Sequence, residues 1–208
     1  MSRGRLITLE GGEGAGKTTA MEVVRDFLEQ AGREVVTTRE PGGTPAAEAI
    51  RKLLLQPATG PLDALTELLL MFAARRENVV RNIEPALARG TDVICDRFTD
   101  ASYAYQGGGR QLGPEPVRRL AELVHPGLKP DLVLLLDVPV DAGLSRISGR
   151  SGGPDRFERD QREFLERVRQ AYLERARARP ERFAVIDAGE PRKSVTNRIR
   201  KVLADRLA

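Results

Sequence analysis

Apolar positions along this chain fall into short runs separated by longer amphipathic stretches. Arg5 to Glu10 reads as a first strand, and Thr18 to Ala31 as a helix closed by Gly32. Glu34 to Thr38 makes a second strand. Ala46 to Leu55 and Leu62 to Arg89 carry apolar residues at three and four spacing, with a stop at Gly90, and are predicted helical. Thr91 to Cys95 is a strand ended by Asp96, and Leu132 to Leu136 another ended by Asp137, after a helix over Glu115 to Val124. A charged helix centred on Phe164 and Val168 runs to Arg179; Phe183 to Ile186 is the last strand and Ser194 to Leu207 the last helix. Strands alternating with helices imply an α/β fold with a mostly parallel sheet covered on both faces. No repeat or low-complexity linker divides the 208 residues, so a single domain is expected.

In such sheets ligands bind outside the carboxyl ends of the strands. Three polar clusters follow strands here: Gly11–Thr19, Arg39–Thr44 and Asp96–Arg110. The first has the spacing Gly11-x4-Gly16-Lys17-Thr18, with a strand before it and a helix after it, which is a phosphate-binding P-loop. Its residues Gly11, Gly12, Glu13, Gly14, Ala15 and Gly16 can turn backbone amides toward a phosphate chain, and the start of the helix at Lys17, Thr18 and Thr19 adds its positive end. Lys17 can reach the β- and γ-phosphates, and the Thr18 hydroxyl can ligate magnesium. The loop implies a nucleoside triphosphate. The Asn/Thr-Lys-x-Asp motif of guanine-nucleotide switches does not occur.

Composition narrows the choice. The net charge is +4 and the pI about 9.6, yet there are only five lysines, acidic residues are interspersed, and aromatics make up 4%. A nucleic-acid groove interleaved with aromatics is therefore not expected; arginines suit forked recognition of phosphate and carboxylate. Cys95 is a lone cysteine within an apolar strand and reads as a buried structural thiol. His125, also alone and ahead of Pro126-Gly127, reads as a turn or capping residue. The longest apolar run, Leu132 to Val138, contains Asp137 and is too short to span a bilayer, and the start of the chain lacks a signal-peptide pattern. A cytoplasmic protein without membrane association is the expectation.

Four motifs occur together: Thr38-Arg-Glu-Pro-Gly-Gly-Thr44, Leu70-Met-Phe-Ala-Ala-Arg-Arg76, Asp96-Arg97-Phe98, and Ser102-Tyr-Ala-Tyr-Gln-Gly-Gly-Gly-Arg110. With the P-loop, and in this order, they resemble the bacterial thymidylate kinases almost from end to end. The resemblance implies a P-loop nucleoside monophosphate kinase-like fold of about five strands, ATP and dTMP as substrates, Mg2+ as cofactor, and a homodimer with helices such as 62–89 at its interface. It also implies roles. Phe72 would stack on thymine and Arg76, four positions on, would bond O4; Ser102 and Gln106 would reach other polar edges of the base, and Tyr105 would crowd the sugar 2′ position. Arg97 and Arg51 would clamp the acceptor phosphate, Glu13 would accept from the sugar 3′-hydroxyl, and Glu40 would lie near the acceptor phosphate or its magnesium water. Asp96 would orient magnesium or hold Arg97. Arg75 reads as a surface residue.

A lid is expected over about 146–158, where Arg146, Arg150 and Arg156 surround Ser151-Gly152-Gly153-Pro154. Some members of this family carry a catalytic arginine inside the P-loop. Glu13 and Ala15 stand there instead, so Arg150 or Arg156 would serve the transferring phosphate, with Arg146 nearer adenine. A kinase of another monophosphate on the same fold, or a nucleotide-binding module without enzymatic activity, are the alternatives.

Overall fold

A computed structural model describes residues 3–147 and 162–207. Five strands, β1 (Leu6–Glu10), β2 (Val35–Arg39), β3 (Asp92–Asp96), β4 (Leu132–Asp137) and β5 (Phe183–Asp187), form one parallel sheet in the order β2-β3-β1-β4-β5. All four pairings are parallel, with Leu6 opposite Val93 and Ile7 opposite Leu132. Around the sheet lie α1 (Lys17–Gln30), α2 (Pro45–Leu55), α3 (Ala64–Asn78), α4 (Glu84–Ala88), α5 (Thr99–Ser102), α6 (Pro114–Val124), α7 (Val140–Ile147), α8 (Arg162–Ala178) and α9 (Arg192–Leu207).

The period-two alternation of a strand assigns each residue to one face. Ile7, Leu9, Ile94, Leu132, Leu134 and Leu136 turn toward α1 and α9 and make one core cluster. Their neighbours in sequence turn the other way: Val133 and Leu135 meet Phe164, Val168 and Tyr172 of α8, while Leu6, Val93 and Cys95 meet Val79, Ile83 and Leu87. Both faces are dry, which is why these strands read as continuous apolar runs rather than alternating ones. The even face of β1 also carries Glu10, fully buried beneath α8.

The predicted elements recur with ends shifted by a residue or two. Besides a short 3-10 turn at Pro57–Thr59, two helical segments were not foreseen. One is α7, directly after β4; the other is α5 together with a widened π-helical stretch over Tyr103–Gly109. A second π turn, Val79–Ile83, joins α3 to α4 so that the predicted 62–89 helix is continuous but bulged. Pro85 explains its place, since proline lacks the amide and crowds the carbonyl one turn back.

Glycine serves close approach at two places. A Cβ on Gly109 would lie 2.5 Å from the Phe164 ring, so the glycine-rich stretch exists to let α8 in. A Cβ on Gly14, whose φ is +70°, would lie 2.1 Å from the carbonyl oxygen of Gly143 on α7. The loop after β1 therefore packs backbone on backbone against α7.

Candidate active site

The loop between β1 and α1 has the predicted form. Gly16 ends it in a left-handed conformation, and α1 starts at Lys17. The Lys17 ammonium donates to the carbonyls of Gly11 (3.1 Å) and Gly12 (2.9 Å), and burial lowers its pKa, with Arg97 adding to the effect. A low-dielectric site strengthens its attraction for a phosphate oxygen. Beside the loop is a cavity of about 340 Å³ lined by Gly14, Ala15, Gly16, Thr19, Arg146 and Thr196, among others. Arg146 reaches from α7 to the carbonyls of Ala188 (2.9 Å) and Gly14 (3.4 Å). Arg150 and Arg156, and most of the predicted lid, lie outside the described residues.

The second cluster forms around Arg97. This residue follows β3 with φ +66°, a left-handed conformation rare outside glycine. Its guanidinium pairs with Glu13 of the P-loop and donates to the Tyr105 hydroxyl at 3.2 Å, while that hydroxyl donates to the same Glu13 oxygen at 2.8 Å. Glu13 holds the Arg97 pKa well above its ordinary value against the opposing effect of burial. Asp96 makes no hydrogen bond to Arg97, and its Oδ1 is buried without a partner. Of the two roles left open for Asp96, holding Arg97 is not observed. An orphaned hard oxygen, with the exposed Thr18 hydroxyl in the first turn of α1, fits a magnesium ion and its waters. Arg51 donates to the Pro41 carbonyl at 2.9 Å, bracing the loop that bears Glu40.

The third cluster centres on Arg75. Arg75, expected at the surface, is fully buried. Its Nε donates to Glu40 at 2.6 Å, and its Nη2 donates to the Phe98 carbonyl and the Ser102 hydroxyl, both at 3.0 Å. Arg76 instead is exposed and donates to the Val124 carbonyl at the end of α6. Phe72 and Arg76 share a helix face, as four-residue spacing requires, but that face packs on α6. Phe72 is buried with Leu68 and Val117, lies parallel to the His125 ring, and has the Arg75 guanidinium 4.4 Å from its centroid. It wedges Arg75 in place. Glu40 is also committed: it is 2% exposed, accepts from Arg75 and Asn78, and burial raises its pKa although Arg75 opposes the rise. It anchors Arg75.

Among the described residues, Nη1 of Arg75, Oε1 of Gln106 and Nδ1 of His125 are buried in this cluster without a hydrogen-bond partner. The Gln106 amide orientation follows from its other end, which must donate to the Glu67 carboxylate at 2.9 Å. Ser102, bonded to Arg75, and Gln106 lie one helical turn apart. Nη1 is thus a buried donor and Oε1 a buried acceptor without a partner among the described residues, each costing about 1–3 kcal/mol if left dry and unpaired. Glu67 was missed because a glutamate on an amphipathic helix reads as solvated; only tertiary packing buries it. His125 caps α6 as expected, and Cys95 is buried with its thiol directed at the Arg97 carbonyl, 2.9 Å away.

A P-loop on a parallel sheet of this strand order, facing an arginine-carboxylate clamp after β3, defines a kinase that moves a phosphoryl group between nucleotides. The thymidylate kinase family model matches residues 9–199, and the chain belongs to that family. It is 56% identical to a thymidylate kinase of Chromohalobacter salexigens over all of this chain and 99% of that one. A thymidylate kinase of Alkalilimnicola ehrlichii is 53% identical, covering 98% and 94% of the two chains. The crystal structure of thymidylate kinase from Ehrlichia chaffeensis superimposes with a TM-score of 0.77 at 35% identity, covering 97% of this chain and 99% of that one.

Proposed function

We propose that this chain transfers the γ-phosphoryl group of ATP to dTMP, giving ADP and dTDP on the way to dTTP. An oxygen of the dTMP phosphate attacks the γ-phosphorus in line, and the bond to the β-phosphate oxygen breaks as ADP leaves. The attacking oxygen is already anionic, so no general base is needed; positioning and charge neutralisation carry the rate. Lys17 and the P-loop amides hold the donor, with Arg146 toward adenine, while Arg97 receives the acceptor phosphate and Arg51 supports the adjoining loop. Glu13 and Tyr105, already joined to Arg97, border the deoxyribose. Thr18 and Asp96 would hold magnesium, which would supply charge neutralisation on the phosphates. Arg150 and Arg156 are assigned to the lid and the transferring phosphate.

The observation that supports the acceptor is a buried donor and a buried acceptor left without partners among the described residues. Thymine presents O4 as an acceptor beside N3–H as a donor, which matches Arg75 Nη1 and Gln106 Oε1. Cytosine presents the reverse pattern and would leave both unpaired. Arg75 therefore replaces Arg76 as the proposed reader of the base, and Ser102 orients it. A coupled ADP-release assay over dTMP, dUMP, dCMP and AMP tests this: dTMP should be used fastest, and dCMP or AMP outrunning it refutes the assignment.

The assembly is proposed to be a homodimer in the cytoplasm. Leu65 and Leu69, one turn apart on α3, are 46% and 49% exposed, and Leu53 on the adjacent α2 is 44% exposed. That apolar face on the predicted interface helix suits a second copy of the chain. Among the described residues no helix is long and apolar enough to cross a membrane.

A further inference from the structure

Beneath the Arg97 turn lies a pair of buried polar residues that the phosphoryl-transfer chemistry does not use. Glu10 closes β1 and is fully buried. Its Oε1 accepts the backbone N–H of Phe98 at 2.8 Å, and its Oε2 is 2.8 Å from the Tyr172 hydroxyl of α8. Phe98 is the residue immediately after Arg97, whose left-handed backbone is disfavoured for a side chain with a Cβ. Contacts that hold that turn include the Arg97 N–H to the Leu9 carbonyl at 3.0 Å, the Cys95 thiol to the Arg97 carbonyl, the Glu10 carboxyl to the Phe98 amide, and the Arg75 guanidinium of α3 to the Phe98 carbonyl. Arg75 ties the turn to α3, and Glu10, through Tyr172, ties it to α8.

We propose that Glu10 and Tyr172 are positioning residues for the acceptor clamp: the buried carboxyl holds the Phe98 amide, fixes the turn that aims Arg97, and anchors that turn to α8. The proposal rests on the reading of Arg97 as the acceptor-phosphate clamp.

The surroundings determine the form in which Glu10 acts. Burial is the largest influence on its carboxyl, the Asp100 charge on α5 adds to it, and the pKa is raised from 4.5 to about 8. The other groups that face it are Arg97, Lys17 of the P-loop, Cys95 of β3 and Tyr172; β4 offers only Leu135 opposite. Asp100 is itself paired with Arg175. Near neutral pH Glu10 is therefore an uncharged acid. Since Oε1 must accept from the Phe98 amide, the proton belongs on Oε2, shared with the Tyr172 hydroxyl. An ionised Glu10 would be a rival anion for Arg97, competing with the acceptor phosphate.

The test uses the full-length enzyme. Glu10→Gln keeps both bonds without the charge, its amide oxygen accepting from Phe98 and its NH2 donating to Tyr172. It should retain KM for dTMP. Glu10→Leu strands the Phe98 amide and should raise KM for dTMP about ten-fold or more while leaving KM for ATP nearly unchanged. Tyr172→Phe should give a smaller rise in the same parameter. For the wild type, KM for dTMP should climb as the pH passes about 8, where the dTMP phosphate is already fully ionised; Glu10→Gln should abolish that climb. Glu10→Gln behaving like Glu10→Leu, an unchanged KM for dTMP in folded Glu10→Leu, or equal rises in both KM values would each overturn the proposal. Arg97→Ala serves as the control, and should itself lose dTMP binding. If it does not, the clamp reading fails, and the positioning role with it.

Discussion

Replacing Arg75 by Met separates the work of a buried charge from the work of a buried volume. Methionine fills much of the same space beside Phe72 and Phe98 but removes the donors to Glu40, Phe98 and Ser102. Glu40 is then left 2% exposed with only a long bond, 3.4 Å, from Asn78. Breaking a buried pair from one side costs about 3–5 kcal/mol, because the surviving charge is neither solvated nor paired. For a chain of this length that is a fall in Tm of roughly 6–20 °C. The loss depends on pH in a definite direction. Burial already raises the Glu40 pKa and Arg75 opposes that rise, so without Arg75 the folded-state pKa climbs further above its unfolded value. The unfolded state then binds fewer protons than the folded state, and stability falls as pH rises from the unfolded pKa toward the folded one. Thermal unfolding from about pH 5 to about pH 9 should show the Arg75→Met deficit widening with pH, while the double variant Arg75→Met, Glu40→Gln recovers most of it. Both variants should have lost the preference for dTMP over dCMP. A single-variant cost below about 1 kcal/mol, or a double variant no more stable than Arg75→Met, would refute the account of Arg75 as a charge held by Glu40.

His125 should make the protein acid-sensitive: its pKa is lowered from 6.5 to about 4, first by burial and then by the Arg75 charge. A depressed histidine contributes stability above its unfolded pKa that is lost as pH falls toward 4, about 3 kcal/mol here; urea unfolding of His125→Gln should lack this component. Gly14→Ala drives a Cβ to 2.1 Å from the Gly143 carbonyl at a left-handed φ, so KM for ATP should rise about ten-fold or more, read by initial rates. Leu65→Glu combined with Leu69→Glu should shift sedimentation from dimer to monomer with the fold unchanged by circular dichroism; a persistent dimer would place the interface elsewhere.

Periodicity and punctuation were enough to read the sheet. The three inner strands are dry on both faces, so Leu6-Ile7-Thr8-Leu9 and Leu132-Val-Leu-Leu-Leu136 stand out as apolar runs, and Gly32 and Gly90 mark where chains turn. The P-loop was equally legible, because amides and a helix start recognise phosphate by local geometry, and local geometry is written in local spacing. The unforeseen helices have a physical reason too. The segment Thr99–Gly109 carries three glycines in a row, which argue against a helix on propensity; packing of α8 onto that surface overrides the cost.

Arg75 and Arg76 show where sequence stops. Adjacent arginines at the end of an apolar helix are equivalent by composition, and the spacing from Phe72 favours Arg76. Rotation of α3 against β2 and α6 decides otherwise: one arginine is sealed against Glu40 and Ser102, the other left at the α6 carboxyl end. Glu10, Glu67 and Tyr172 belong to the same class, since their partners lie tens of residues or more away and only the closed sheet brings them together. Sequence by itself determined the strand order's ingredients, the donor loop and the family; tertiary structure decided which of several identical side chains is desolvated. A charge acquires specificity when water is removed from around it, and removal of water is a property of the packed fold.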